Sequence, residues 1–357
     1  MRQARSSFRT SVPIPALAAV TLAALGLVEH ASAQSVPGFT VETFATPPFP
    51  QLLAFGADGV LYAGRDDNPG GSADPTFVTR ITADGVSLPF GLQAIADPDA
   101  VVVDTTGMVS GIANAVLVGG LVTNPGPGRV SIIAPDGAVS TLVEALEYGN
   151  ISELKIDQDQ RLLFVSVSGN AVFAGDPGEM PSFLCATAAS PIYLAIAPDG
   201  RIFTSSNSGI VAVNAADGTV INSSFVLFQG RASIEFAEGG GFGNGLLALE
   251  SNSGILYSVS DEGTKTEIGT GFEGCDDLAI GPCGEVYLSC RLEGKVLRIS
   301  GPPTPDLDGN GSVDGADLGL LLGTWGSNDC AADLNQDGVV DGADLGALLG
   351  AWGTPVC

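Results

Sequence analysis

Histidine is almost missing from this chain, and cationic side chains are scarce. The one histidine, His30, lies in an N-terminal leader, so a processed chain has none. That excludes Ser-His-Asp and Cys-His nucleophilic catalysis, histidine-ligated zinc and a histidine general base. Lys and Arg number 14 against 40 Asp and Glu, a net charge of -26. So acidic a chain repels nucleic acid and anionic lipid, and it attracts divalent cations. Aromatic residues make up 6% of the sequence, and both tryptophans, Trp325 and Trp352, stand near the C-terminus. That weighs against a broad stacking surface for sugars in the remainder. No Cys-x-x-Cys spacing occurs, which argues against a cysteine metal site.

Long apolar runs are also lacking, with one exception. Pro13 to Val28 is apolar, follows Arg2, Arg5 and Arg9, and leads to Ala31-Ser-Ala33, the small-residue cleavage pattern of a secretory signal peptide. Residues 1–33 read as that peptide, and the run is short for a membrane anchor. The expected location is extracellular or at the cell surface, or the periplasm, with no membrane span after cleavage. Losing Arg2, Arg5, Arg9 and Glu29 leaves 11 basic against 39 acidic residues, a net charge of -28. Six cysteines in an exported chain read as disulfides. Cys330 and Cys357 flank one unit of the C-terminal segment and could bridge. Cys275 and Cys290 oppose each other if the chain around Gly281-Pro-Cys-Gly284 forms a hairpin. Cys185 and Cys283 then remain, and their pairing stays open.

The acidic character concentrates in a duplicated tail. Asp306-Leu-Asp-Gly-Asn-Gly-Ser-Val-Asp-Gly-Ala-Asp317 recurs as Asp333-Leu-Asn-Gln-Asp-Gly-Val-Val-Asp-Gly-Ala-Asp344, and the two units match at most positions. Oxygen side chains fall at loop positions 1, 3, 5, 9 and 12: Asp306, Asp308, Asn310, Asp314 and Asp317, then Asp333, Asn335, Asp337, Asp341 and Asp344. Ser312 and Val339, at position 7, can add backbone carbonyls, which completes the oxygen set a hard cation requires. The reading is two calcium ions. Each loop runs into a short helix. Leu318, Leu321, Leu322 and Trp325, like Leu345, Leu348, Leu349 and Trp352, follow i, i+3, i+4, i+7 spacing, so each helix has one apolar face. Gly319 with Gly323, and Gly346 with Gly350, suggest close approach to a neighbouring helix or a partner.

On these residues the tail, 306–357 after a Pro-rich linker at 301–305, resembles a type I dockerin, a tandem of EF-hand-like calcium loops lacking the entering helix. The resemblance implies docking to a cohesin-like or cell-surface protein. It also assigns partner contact to loop positions 10 and 11, here Gly315 and Ala316, Gly342 and Ala343. Those small residues, and the absence of Lys or Arg after Arg298, depart from the cellulosomal pattern and count against a cellulosome-type cohesin. A calcium-stapled cap without a partner is the plainer reading.

Residues 36–300 read as all-β. Short alternating strands recur around turn residues, most plainly at Leu52-Leu-Ala-Phe-Gly-Ala-Asp-Gly-Val-Leu-Tyr62, Leu154 to Leu163, Leu194 to Phe203 and Leu278 to Tyr287, with weaker copies near Val101 and Phe236. Starts roughly 40 to 50 residues apart suit four-stranded blades, which makes six. The sixth is one strand short, and Gly38 to Phe44 could supply it and close the ring. The expected fold is a six-bladed β-propeller followed by the small helical calcium domain.

The propeller resembles the NHL-repeat and gluconolactonase-like family. Asp99 and Asp276 match the Asp of its Pro-Asp-Gly-Leu-Ala motif, which the resemblance places at the central channel, with Glu153 and Asp277 one residue further on and Glu235 beside them. Two functions follow. One is a non-catalytic exported scaffold that recognises a protein or glycan, with the tail attaching it to a partner or surface; this is the favoured reading. The other is a calcium-dependent hydrolase of a sugar lactone or polysaccharide, using a third ion in the channel and carboxylate proton transfer. Ile192 and Tyr193 stand where the family carries asparagine ligands.

Overall fold

The computed structural model describes residues 34–65, 75–187, 190–237, 242–302, 304–308, 310–327, 329–335 and 339–353. Residues 1–33, on which the expected signal peptide falls, and Asp337 and Cys357 lie outside them. Local chemistry sets the strand boundaries. At Asp58-Gly59 and Asp199-Gly200 the carboxylate accepts the amide two residues on, from Val60 at 3.2 Å and Arg201 at 3.1 Å. The glycines take φ of +74° and +84°, which favours glycine and reverses the chain tightly.

Twenty-four strands result among the described residues. β1 (Thr40–Ala45) comes first. Blade 1 is β2 (Pro50–Phe55), β3 (Leu61–Arg65), β4 (Pro75–Ile81) and β5 (Ser87–Ala96). Blade 2 is β6 (Ala100–Asp104), β7 (Ala115–Leu121), β8 (Gly128–Ile133) and β9 (Val139–Ala145). Blade 3 is β10 (Ile151–Ile156), β11 (Leu162–Ser166), β12 (Ala171–Gly175) and β13 (Ser182–Ala186). Blade 4 is β14 (Pro191–Ile196), β15 (Ile202–Ser206), β16 (Ile210–Asn214) and β17 (Val220–Leu227). Blade 5 is β18 (Ala232–Ala237), β19 (Gly245–Glu250), β20 (Ile255–Val259) and β21 (Lys265–Gly269). Blade 6 is β22 (Asp277–Ile280), β23 (Val286–Cys290) and β24 (Lys295–Ser300), completed by β1.

β1 runs antiparallel to β24 with Thr40 opposite Ser300, so the N-terminal strand closes the ring as the sequence suggests. The innermost strands β2, β6, β10, β14, β18 and β22 neighbour one another in that order, and β22 returns to β2. The middle strands are the most buried: every residue of β7, β11, β15 and β23 is buried. Between blades 2 and 3, Tyr148 packs edge-on to Phe164 and Phe173 and donates from its hydroxyl to the Pro181 carbonyl at 2.9 Å, satisfying a buried polar tip.

The cysteines follow the expected plan only in part. Cys275 and Cys290 are bonded, closing blade 6. Cys330 is bonded to Cys283, not to Cys357. The propeller turn that carries Cys283 meets the tail across 47 residues of sequence, a contact that local spacing does not reveal. Cys185 is a buried free thiol within hydrogen-bond reach of Asn214 Nδ2.

The tail forms two nine-residue helices, α1 (Gly315–Gly323) and α2 (Gly342–Gly350). Backbone bonds tie the units reciprocally: Gly326 donates to Val340, Val340 to Ser327, and Gly353 to Val313. Val313, Leu321, Leu334, Val340 and Leu348 form its core. The apolar faces are only half used, because Leu322, Trp325, Leu349 and Trp352 are each about half exposed. The close approach expected at Gly319, Gly323, Gly346 and Gly350 does not occur among the described residues, since a Cβ at any of them would meet nothing within 4 Å. No described helix is long and apolar enough to cross a membrane, and the two disulfides are consistent with an oxidising compartment.

Candidate functional site

Strand alternation puts Glu153 and Lys155 on one face of β10, and Ser233 and Glu235 on one face of β18. The structure brings these together with Asp277 at the head of β22. Lys155 Nζ lies 2.5 Å from Glu235 Oε2 and 3.4 Å from Glu153 Oε1. Asp277 accepts from Ser233 Oγ at 2.7 Å and from the Leu53 amide of blade 1 at 2.9 Å. Blades 1, 3, 5 and 6 are thereby joined across the centre of the ring. Glu153 and Asp277 are almost fully buried.

One ammonium cannot balance three carboxylates in so dry a place. Burial pushes Glu153 well above the ordinary carboxylate range; Lys155 pulls it back, and Asp277 and Glu235 push it up again. Burial raises Asp277 to about 6 against the opposing pull of Lys155, Ser233 and the Leu53 amide. Lys155 is held charged, because Glu235 and Glu153 outweigh the burial that disfavours the ammonium. Lys155 and Glu235 thus make the ion pair, and Glu153 and Asp277 retain protons more readily.

Asp276 turns away from this cluster. It accepts from Arg231 at 2.5 Å and Arg291 at 3.2 Å, and its backbone carbonyl accepts the Tyr193 hydroxyl at 2.5 Å. Asp99 stands half-buried at the head of β6 in blade 2. The sequence reading thus found the carboxylates and missed their cations, Lys155, Arg231 and Arg291. The signal for Lys155 was present, since Glu153-x-Lys155 in a strand puts both on one face. Arg291 follows a different strand, and nothing local announces it.

The second acidic site is in the tail. The carboxylates of Asp306, Asp308 and Asp317 lie within 4.8 Å of one another, a spacing that could hold a metal ion. Asp306 and Asp317 are buried, and no Lys or Arg follows Arg298 in the sequence to balance them. Asp317 Oδ1 accepts the amides of Leu307 at 2.7 Å and Asp308 at 3.2 Å, and its Oδ2 that of Asp314 at 2.6 Å. Asp344 repeats this with Asn335 at 3.1 Å and Asp341 at 2.7 Å. Burial raises both carboxyls, but these backbone donors outweigh it and hold Asp317 and Asp344 below the ordinary range. Asp314 and Asp341 cap α1 and α2, each in a reciprocal capping box with the aspartate three residues on. Asp333 is buried like Asp306. Asn310, Ser312, Asn335 and Val339 are exposed, as are Gly315, Ala316, Gly342 and Ala343 on the first helical turns.

No protein-family profile and no curated protein sequence matches the chain. Solved structures do. A gluconolactonase from Xanthomonas campestris is 13% identical with a TM-score of 0.56, covering 74% of this chain and 90% of its own. A putative gluconolactonase is 14% identical with a TM-score of 0.55, covering 74% and 92%. A protein of unknown function from Bacteroides thetaiotaomicron is 13% identical with a TM-score of 0.57, covering 75% and 76%. At such identities the likeness is one of fold, and the fold it supports is the six-bladed propeller.

Proposed function

We propose that this chain is an exported calcium-binding protein whose propeller is a recognition scaffold and whose dockerin-like tail attaches it to a partner protein, cohesin-like or at a cell surface. The observation that carries this reading is the contrast between the two acidic sites. In the channel Lys155 is paired with Glu235 and lies beside Glu153, and Asp276 next to that cluster is paired with Arg231 and Arg291. In the tail, three carboxylates converge on a point with no cationic side chain following Arg298. Six to eight hard oxygens are what calcium takes, and Asp306, Asp308, Asn310, Ser312, Asp314 and Asp317 can supply them, as can Asp333 through Asp344. Like charges this close repel by about 3 kcal/mol per pair at an effective dielectric near 20, which a divalent ion reverses. The half-exposed Leu322, Trp325, Leu349 and Trp352 give the attachment surface an apolar component.

Because both tryptophans belong to the tail, intrinsic fluorescence reads it directly. Calcium added to the metal-stripped protein should change tryptophan emission with two equivalents bound, and Asp306→Ala with Asp333→Ala should abolish both. A further equivalent that survives this double substitution and disappears with Asp277→Asn would transfer support to the second reading, a calcium-dependent hydrolase, for which the two structural neighbours called gluconolactonases are the motive. Turnover of a sugar lactone by the Asp306→Ala, Asp333→Ala protein, lost when Asp277→Asn is added, would establish it.

A further inference from the structure

At the mouth of the ring, where the inner strands of blades 5 and 6 begin, an open cavity of about 450 Å³ is lined by Asn207, Arg231, Ser251, Asn252, Glu273 and Asp276. No aliphatic or aromatic side chain is among them. One lining group is out of balance with its surroundings: Ser251 is 8% exposed, and its Oγ has no hydrogen-bond partner among the described residues. A buried hydroxyl left unpaired costs stability, so its retention at a cavity wall points to a ligand that completes it. Beside it Arg231 is fixed by Asp276 at 2.5 Å and lies over the Tyr193 ring at 6.0 Å, which orients the guanidinium without filling the cavity. The wall thus offers guanidinium and carboxamide donors, carboxamide and carboxylate acceptors, and a hydroxyl able to do both.

We infer that this cavity binds a neutral polyhydroxylated ligand, the end of a glycan chain or a small saccharide. Each ligand hydroxyl donates and accepts, which is what a mostly polar wall of donors and acceptors with no aliphatic or aromatic side chain can satisfy. The cavity is within the size range of small-molecule sites. With no aromatic platform, affinity rests on hydrogen bonds and is modest. The inference deepens the scaffold reading above and rests on it for the non-catalytic outcome.

The test is calorimetric titration of the calcium-loaded, full-length mature protein with cellobiose, maltose and lactose, with glucuronate and an acidic peptide as contrasts, and with chromatography of the sugars afterwards. Saturable binding of at least one neutral disaccharide is expected, weakened about tenfold by Ser251→Ala and by Asn252→Ala. Ser251→Ala should at the same time leave thermal stability unchanged or raised, because it removes an unpaired buried hydroxyl; a merely structural serine would not couple that to lost binding. No binding of any neutral sugar by folded protein, or binding indifferent to both substitutions, overturns the inference while leaving a protein-binding scaffold intact. Binding followed by cleavage of the sugar keeps the site and overturns the scaffold reading.

Discussion

Removing the one ammonium from the channel should expose the cost of its carboxylates. In Lys155→Met the stem is replaced by an apolar chain of similar length, and Glu153, Glu235 and Asp277 lose their counter-ion. Unit charges at the 3.4 Å separation from Glu153 interact by about 5 kcal/mol at an effective dielectric near 20. Desolvation of the lysine offsets part of that, and breaking a buried pair from one side costs about 3 to 5 kcal/mol. For a domain of this size that lowers the melting temperature by about 6 to 10 °C. The loss must depend on pH. Glu153 and Asp277 already stand above their ordinary values, and without Lys155 both rise further. A raised carboxyl binds more protons folded than unfolded, so its favourable contribution is complete below the unfolded value near 4 and is lost as pH rises through the folded value. The variant's deficit should therefore be largest at pH 8 and small at pH 4.5. Thermal unfolding of both proteins at pH 4.5, 6 and 8 measures this. A melting temperature within 1 °C of the parent at pH 8, or a deficit of the same size at pH 4.5 as at pH 8, would refute an electrostatic lock at the ring's centre.

Three further predictions follow from neighbouring contacts. Asp277→Asn should remove the part of the stability loss between pH 4 and 7 that belongs to Asp277, about 3 kcal/mol for a carboxyl raised to about 6, seen as a flatter pH dependence of unfolding. Replacing Cys275 and Cys290 by serine opens a loop of 15 residues and should cost about 3 kcal/mol in urea unfolding, with blade 6 exchanging amide protons fastest. A mature chain shortened to begin after Ala45 loses β1, leaves the outer edge of β24 unpaired, and should associate or precipitate, as measured by light scattering.

The ring was legible because its evidence is local: period-two strands, Asp-Gly reversals and a blade-length repeat, with even the closing strand inferable from a last blade one strand short. The gathering of Asp306, Asp308 and Asp317 was legible for the same reason, since spacing within twelve residues is a local property. What escaped reading depends on long-range geometry. Lys155 meets Glu235 across 80 residues of sequence, and Arg231 meets Asp276 across 45; such partners are set by which blades face each other. The helices show the converse error. Their i, i+3, i+4, i+7 stripe marks an apolar face correctly, yet only Leu321 and Leu348 are fully covered, because two nine-residue helices have too little surface to bury both stripes on each other.

The bridge between Cys283 and Cys330 has a consequence for how the two halves work together. Cys283 sits in the turn after β22, whereas Arg231 and Asp276 stand before β18 and β22, at the opposite ends of the inner strands. β22 has four residues, and at about 3.3 Å per residue the turn lies roughly 13 Å or more from the mouth. The tail is therefore fastened to the face away from the cavity. On the proposed reading, a partner held by the tail would leave the mouth open while the bridge is intact. Cys330→Ser removes that restraint without touching a carboxylate. If the covalent fastening sets the arrangement, protease cleavage within 301–305 should accelerate in the variant while the calcium response of Trp325 and Trp352 is kept; equal cleavage rates would show that the linker alone fixes the tail.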